Sequence, residues 1–162
     1  MTATPAIRPF EPADFDRLDA IRAEAFAPIF TSFRALLGDD IAAIALRNAE
    51  REQRALLDSF CAGAAHTFVA VDEGRIIGFV CATLDGAQGV GEIALDAVAP
   101  EAAGRGVGSA LIAHALAFMR AEGMRAAVVG VGGDESHAPA RRAYEKAGFR
   151  AGIPSLHLYR AL

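Results

Sequence analysis

The sequence predicts one α/β domain on a mixed, mostly antiparallel sheet of about six to seven strands, with helices on both faces. Three observations carry this. The chain has 162 residues, the size of a single domain, taken here as residues 1–162. Two apolar runs, residues 66–71 and 75–84, are joined by Asp72-Glu73-Gly74, a tight hairpin signal. Residues 92–111 read EIALDAVAPEAAGRGVGSAL: an apolar strand, a turn at a proline, a glycine-rich loop and the start of a helix. Hairpins pair strands antiparallel, whereas a crossover helix returns the chain to a parallel neighbour, so both together imply a mixed sheet covered on each side.

The elements follow in order. Residues 6–10 form a short first strand. Glu11-Pro12-Ala13-Asp14 opens a helix, with acids in its first turn where the dipole favours them. Leu18, Ile21, Ala25 and Phe26 share one face of it at spacings of three and four. Pro28 ends or breaks that helix, and residues 29–38 read as a loop or short helix. Asp39 or Asp40 caps a further helix to about residue 62, whose Arg47, Glu50, Arg51 and Arg54 make a solvated face. After the hairpin, residues 89–99 form the next strand. A helix over 106–122 turns Leu111, Ile112, Ala115, Phe118 and Met119 to the core and ends at Gly123. Residues 125–131 are a strand and 132–135 a turn. Ser136 caps the last helix, with Pro139 in its first turn. Strands at 149–152 and 156–160 finish the sheet.

Composition narrows the function classes. Apolar residues make up 53% of the chain, enough for a substantial core, and the net charge is −4. A nucleic-acid-binding domain usually shows a basic patch, so nucleic acid is not expected as partner, while a cationic substrate agrees with the charge. Cys61 and Cys81 have neither metal nor disulfide spacing and read as buried free thiols of a cytoplasmic protein. The histidines also lack metal spacing, so no metal is expected. The opening MTATPAIRPF lacks the apolar stretch of a secretory leader, and no apolar run reaches membrane length.

Gly104, Gly106 and Gly108 alternate along the loop. Glycines let a backbone turn tightly and approach a ligand closely. The helix behind them opens with unpaired N–H groups and the positive end of its dipole, which seats a pyrophosphate or another anion. Two common nucleotide motifs fail on spacing. Ser109 stands where the dinucleotide pattern needs a third glycine, and the loop has no P-loop lysine.

What Val98-Ala99-Pro100 followed by Gly104-Arg105-Gly106-Val107-Gly108 resembles is the cofactor loop of the GNAT superfamily of N-acetyltransferases. The Gln or Arg that usually opens that loop is Ala103 here. A second stretch, HAPARRAYEKAGF, is similar to the last-helix motif of the same superfamily. Ala140, Tyr144, Glu145, Lys146, Gly148 and Phe149 keep its register, and His137 replaces the usual asparagine. The resemblance covers the chain from Ile7 onward but is sharp only over residues 92–111 and 137–149.

The resemblance implies a GNAT fold and transfer of an acetyl group from acetyl-CoA to a primary amine of a small molecule or protein. It implies cofactor binding by Val98, Gly104, Arg105, Gly106, Val107, Gly108 and Ser109, and Tyr144 as acid toward the leaving thiolate. Side chains alternate along a strand, so Glu92, Ala94, Asp96 and Val98 share one face unless a bulge intervenes. Glu92 matches the family's base and is favoured for that role. Asp96, nearer the loop by about 13 Å of extended strand, is the other candidate carboxylate and is expected to orient the amine. His137 is open between a cofactor contact and a helix cap. No membrane partner is expected, and a homodimer is an assembly to look for. The rival function is an acyl-CoA-binding regulatory domain without chemistry, which the departures at Ala103 and His137 favour.

Overall fold

The computed structural model describes residues 4–162; the first three residues of the expected domain and of the leader region lie outside the described residues. The strands are β1 (Ala6–Pro9), β2 (His66–Asp72), β3 (Arg75–Asp85), β4 (Val90–Val98) and β5 (Ala126–Val129). The helices are α1 (Phe15–Leu37), α2 (Asp39–Ala45), α3 (Ala49–Ser59), α4 (Val107–Ala121) and α5 (Ala138–Lys146). The strands pair in chain order, antiparallel from β1 to β4 and parallel between β4 and β5. Only the last pair needs a crossover, and α4 supplies it. The β2–β3 hairpin turns through Glu73 and Gly74, both at positive φ, the turn whose twist matches that of the strands.

A bulge in β4 matters most for the site. Cys81 pairs with Leu95 and Ala82 with Ile93, so Ala94 is an extra residue without a partner. Paired residues share a face, and faces alternate along the regular partner strand. Asp96 pairs with Val80 and Glu92 with Thr83, three residues apart on β3. The two carboxylates therefore lie on opposite faces. This corrects the shared face expected from simple alternation.

α4 covers the face that carries Gly78 and Gly91. A Cβ on Gly78 would stand 3.0 Å from the Ala97 carbonyl oxygen and 3.0 Å from Leu111, and one on Gly91 would meet Met119 at 2.6 Å. Glycine here sets how closely the helix approaches the sheet. The opposite face carries Phe79, Cys81, Leu95 and Ala97, all buried, and α1 packs there on β3 and β4. Leu18 and Ile21 of α1 and Leu111, Ile112, Ala115 and Met119 of α4 complete the core. Leu57 of α3 joins the same cluster.

Other expectations are corrected. Pro28 neither ends nor breaks α1, which runs on to Leu37. The proline removes one N–H, whose acceptor would be the carbonyl of Glu24 on the exposed side. The helix expected from Asp39 to about residue 62 divides into α2 and α3 at a turn over residues 46–48. Among the described residues the sheet has five strands, not six to seven. Residues 149–162 form no strand, and Ile153, Leu156 and Leu158 are exposed. Their alternation suits a strand, but a strand exists only through the hydrogen bonds of a partner, and Pro154 has no N–H to offer.

Gly78→Ala should lower stability by about 1–3 kcal/mol, as overpacking of a filled core does. Urea unfolding followed by circular dichroism measures it, and an unchanged midpoint would mean that α4 can shift without cost.

Candidate active site

The site opens where β4 leaves β5. The two strands pair only from Val90 with Ala126 to Ile93 with Val129. Beyond that point the bulge turns β4, and a cleft of about 220 Å³ fills the gap. Ile93 to Asp96 form one wall and Val129 to Val131 the other. Ala25, Phe26 and Ile29 of α1 give it an apolar side, and His137, Ala140 and Tyr144 close it at α5. Ala25 and Phe26 were legible as a helical core face, not as a pocket wall.

Tyr144 and Asp96 meet in this cleft. Tyr144 is 6% exposed, and its hydroxyl donates to Asp96 Oδ1 at 2.6 Å. Phe149 packs edge-on against its ring at 5.9 Å. Burial, then the charge and hydrogen bond of Asp96, push the phenol pKa well up, so Tyr144 keeps its proton. Burial pushes the Asp96 carboxyl up, and the bond from Tyr144 only partly offsets this.

A second polar pair sits at the α5 side. Residues 132–137 turn so that His137 Nδ1 lies 2.6 Å from Asp134 Oδ1. Asp134 also accepts from the Ser32 hydroxyl of α1 at 2.9 Å, from the Ser136 N–H at 3.2 Å and from the Ser136 hydroxyl. Burial alone would raise its pKa, but the bonds from Ser136, His137 and Ser32 outweigh that and hold it well below the usual carboxylate range. Arg141 ties the loop to α5 by donating to the carbonyls of Gly132 and Asp134, each at 2.6 Å. Asp134 caps the short turn over Glu135–His137 that leads into α5, and no side chain, Ser136 included, caps α5 itself.

The glycine loop lies at the far end of β4. Gly104 and Gly106 have φ of 74° and 82°, a left-handed backbone that a side chain would strain. Gly106 is the residue before α4, and no side chain caps that helix. The first intrahelical bond runs from Ala110 N–H to Gly106, which leaves the N–H groups of Val107, Gly108 and Ser109 without partners in the helix. No acidic residue stands in the first turn to occupy the dipole. Gly108 differs from the other two glycines: a Cβ there would meet Val98 Cγ2 at an ordinary 3.6 Å. Val98 thus backs the loop. Arg105 pairs with Asp72 of the β2–β3 hairpin at 2.6 Å.

Glu92 is exposed and lies in the paired part of β4, outside the cleft wall, opposite Thr83 and Val128. The bulge that separates it from Asp96 carries no sequence signal beyond ordinary strand residues. Burial pushes the thiol of Cys81 up to about 12 and that of Cys61 to about 11, so neither is a thiolate nucleophile. Among the described residues no group of His, Cys, Asp or Glu is placed to hold a metal, and no helix is long and apolar enough to cross a membrane.

The chain is similar to known acetyltransferases. A mycothiol acetyltransferase from Rhodococcus opacus is 35% identical over 105 residues, which are 62% of this chain and 33% of that protein. The chain thus spans about a third of the length of the curated relatives it matches. A GNAT-family structure from Desulfovibrio desulfuricans superposes with a TM-score of 0.67 at 26% identity, covering 91% of this chain and 86% of that one. A GNAT-family acetyltransferase from Brucella melitensis, solved with acetyl-CoA, superposes at 0.62 with 24% identity over 90% of this chain and 82% of that one, a likeness of fold. The model of the acetyltransferase (GNAT) family matches residues 26–149, which include β4, the glycine loop and Tyr144, and the chain belongs to that family.

Proposed function

We propose that the protein is an acetyl-CoA-dependent N-acetyltransferase, working in the cytoplasm as one domain over residues 1–162, on a primary amine of a small molecule or protein. One observation carries this reading. A helix start with free N–H groups and a cleft holding a protonated phenol stand at two stations along the same strand, β4. An anion seated at the first directs a thioester tail toward the second. The solved relative that holds acetyl-CoA supports that co-substrate. Neither nucleic acid nor membrane enters the proposal, and a homodimer is an assembly compatible with it.

In this reading the pyrophosphate lies on the N–H groups of residues 104–109, backed by Val98. Arg105 reaches it by leaving Asp72, an exchange of one charge-assisted bond for another. The amine attacks the thioester carbonyl directly, and Tyr144 protonates the leaving sulfur. Asp96 is the strand carboxylate inside the cleft. One of its oxygens takes the Tyr144 hydroxyl, and the other orients the ammonium of the substrate. Glu92 reaches the cleft only through water. The non-catalytic alternative loses ground because Tyr144 is held protonated at the cleft rather than packed out of reach.

Gly106→Glu places a bulky anion in the left-handed position beneath the phosphates and should abolish CoA binding in titration calorimetry. Binding as tight as the parent's would overturn the assignment of the loop. In an assay of released CoA thiol with a panel of amines, Tyr144→Phe should lower kcat by about 10²-fold with little change in cofactor affinity. Equal kcat in the two proteins would leave Tyr144 a packing residue.

Asp96 carries a pH prediction. Its folded pKa lies above the unfolded value of 3.8, so the native state binds the proton more tightly. Stability then falls as pH rises from the unfolded pKa through the folded one. Asp96→Asn lacks that slope while keeping an acceptor for Tyr144. Its advantage over the parent in thermal melts should grow with rising pH through this window and shrink toward pH 4. A difference that is flat with pH would show that Asp96 is ionised at little cost.

A further inference from the structure

We infer that His137, aligned by Asp134, is the base that takes the proton from the substrate amine. The inference rests on the acetyltransferase reading and goes beyond it, because the family resemblance points to a strand glutamate instead. Glu92 stands outside the cleft wall, whereas His137 is part of it.

Three neighbours fix the imidazole, and two further side chains hold its aspartate. Asp134 takes its Nδ1 at 2.6 Å. Phe33 of α1 stacks on its ring at 5.8 Å with 26° between planes. Gly132 lies so close that a Cβ there would run into His137 Nδ1 and stand 2.7 Å from Asp134 Oδ1. Ser32 and Arg141 hold Asp134 and its loop from α1 and α5. An ionised Asp134 accepts a hydrogen bond from Nδ1–H, which assigns the neutral tautomer with its lone pair on Nε2. Nε2 is then the nitrogen left to the cleft. The charged and titratable groups nearby are Asp134, which bonds the ring, Arg141 of α5, which holds its loop, and Tyr144 of α5 and Asp96 of β4, which line the same cleft; α1 contributes Phe33 on the ring and Ser32 on Asp134.

The step balances. The substrate ammonium gives one proton to Nε2 and becomes a neutral amine. Its lone pair forms the C–N bond at the thioester carbonyl. The C–S bond breaks with its electron pair on sulfur, which takes the Tyr144 proton while the second proton on nitrogen returns to the phenolate. The imidazolium releases the first proton to water. His137 is thus a catalytic residue and Asp134 a positioning residue.

Two measurements test this. The first uses the free protein labelled with nitrogen-15. Long-range proton–nitrogen spectra, with the signal assigned by its loss in His137→Asn, should show the Nδ1–H tautomer in the parent. In Asp134→Asn the tautomer preference should weaken or reverse. An Nε2–H tautomer in the parent overturns the inference whether or not the variants fold. The second is kcat/KM against pH, with acetyl-CoA and a panel of tyramine, spermidine and glucosamine. The parent should lose rate on the acidic side. His137→Asn should lose that limb and about 10²-fold in kcat, with acetyl-CoA binding retained. Asp134→Asn should lower kcat and move the limb. A limb unchanged in His137→Asn, in an active parent, overturns the inference alone. A parent that acetylates no amine overturns the enzymatic reading and this one with it.

Discussion

β4 pairs with β5 for four residues and then leaves it, and the site depends on that departure. A fully paired sheet would have no room between the strands. The extra residue Ala94 turns the strand at the place where the ladder ends, and it also reverses which side chains face α4. Asp96 is brought into the cleft by this reversal, and Glu92 is carried away from it. α5 then closes the gap with Tyr144 on one side and the Asp134–His137 pair on the other.

Asp96 in the cleft wall and Asp134 behind His137 are pushed in opposite directions. Asp96 meets burial with one neutral donor, so its carboxyl pKa rises. Asp134 is half-buried but collects bonds from two serines and a histidine, and its carboxyl pKa falls. Environments that separate like groups in this way divide acid and base tasks between them. Here Asp96 accepts from the Tyr144 hydroxyl, and Asp134 holds the imidazole of His137.

The glycine loop and the cleft are linked through β4 and α4. Gly78 and Gly91 let α4 lie close on the sheet, and Val98 supports the loop where the strand ends. Gly104 and Gly106 supply left-handed backbone that leaves the first N–H groups of α4 open. Gly108 is not required by conformation; its Cβ would make only an ordinary contact.

Local signals carried much of this. The hairpin at Glu73-Gly74, the loop at Gly104 and Gly106, and the core stripe of α4 were all legible, because glycine conformations and helical spacing are properties of a few adjacent residues. Tyr144 was legible from its register in a motif. The continuation of α1 through Pro28 was not, since packing against the sheet outweighs the loss of one hydrogen bond. The two C-terminal strands were read from alternation alone and are absent because no strand pairs with them. The faces of Glu92 and Asp96 and the meeting of Asp134 with His137 were decided by the tertiary structure. A bulge is defined by the partner strand and a dyad by the fold of its loop against α1 and α5, and neither leaves a pattern in the residues that form it.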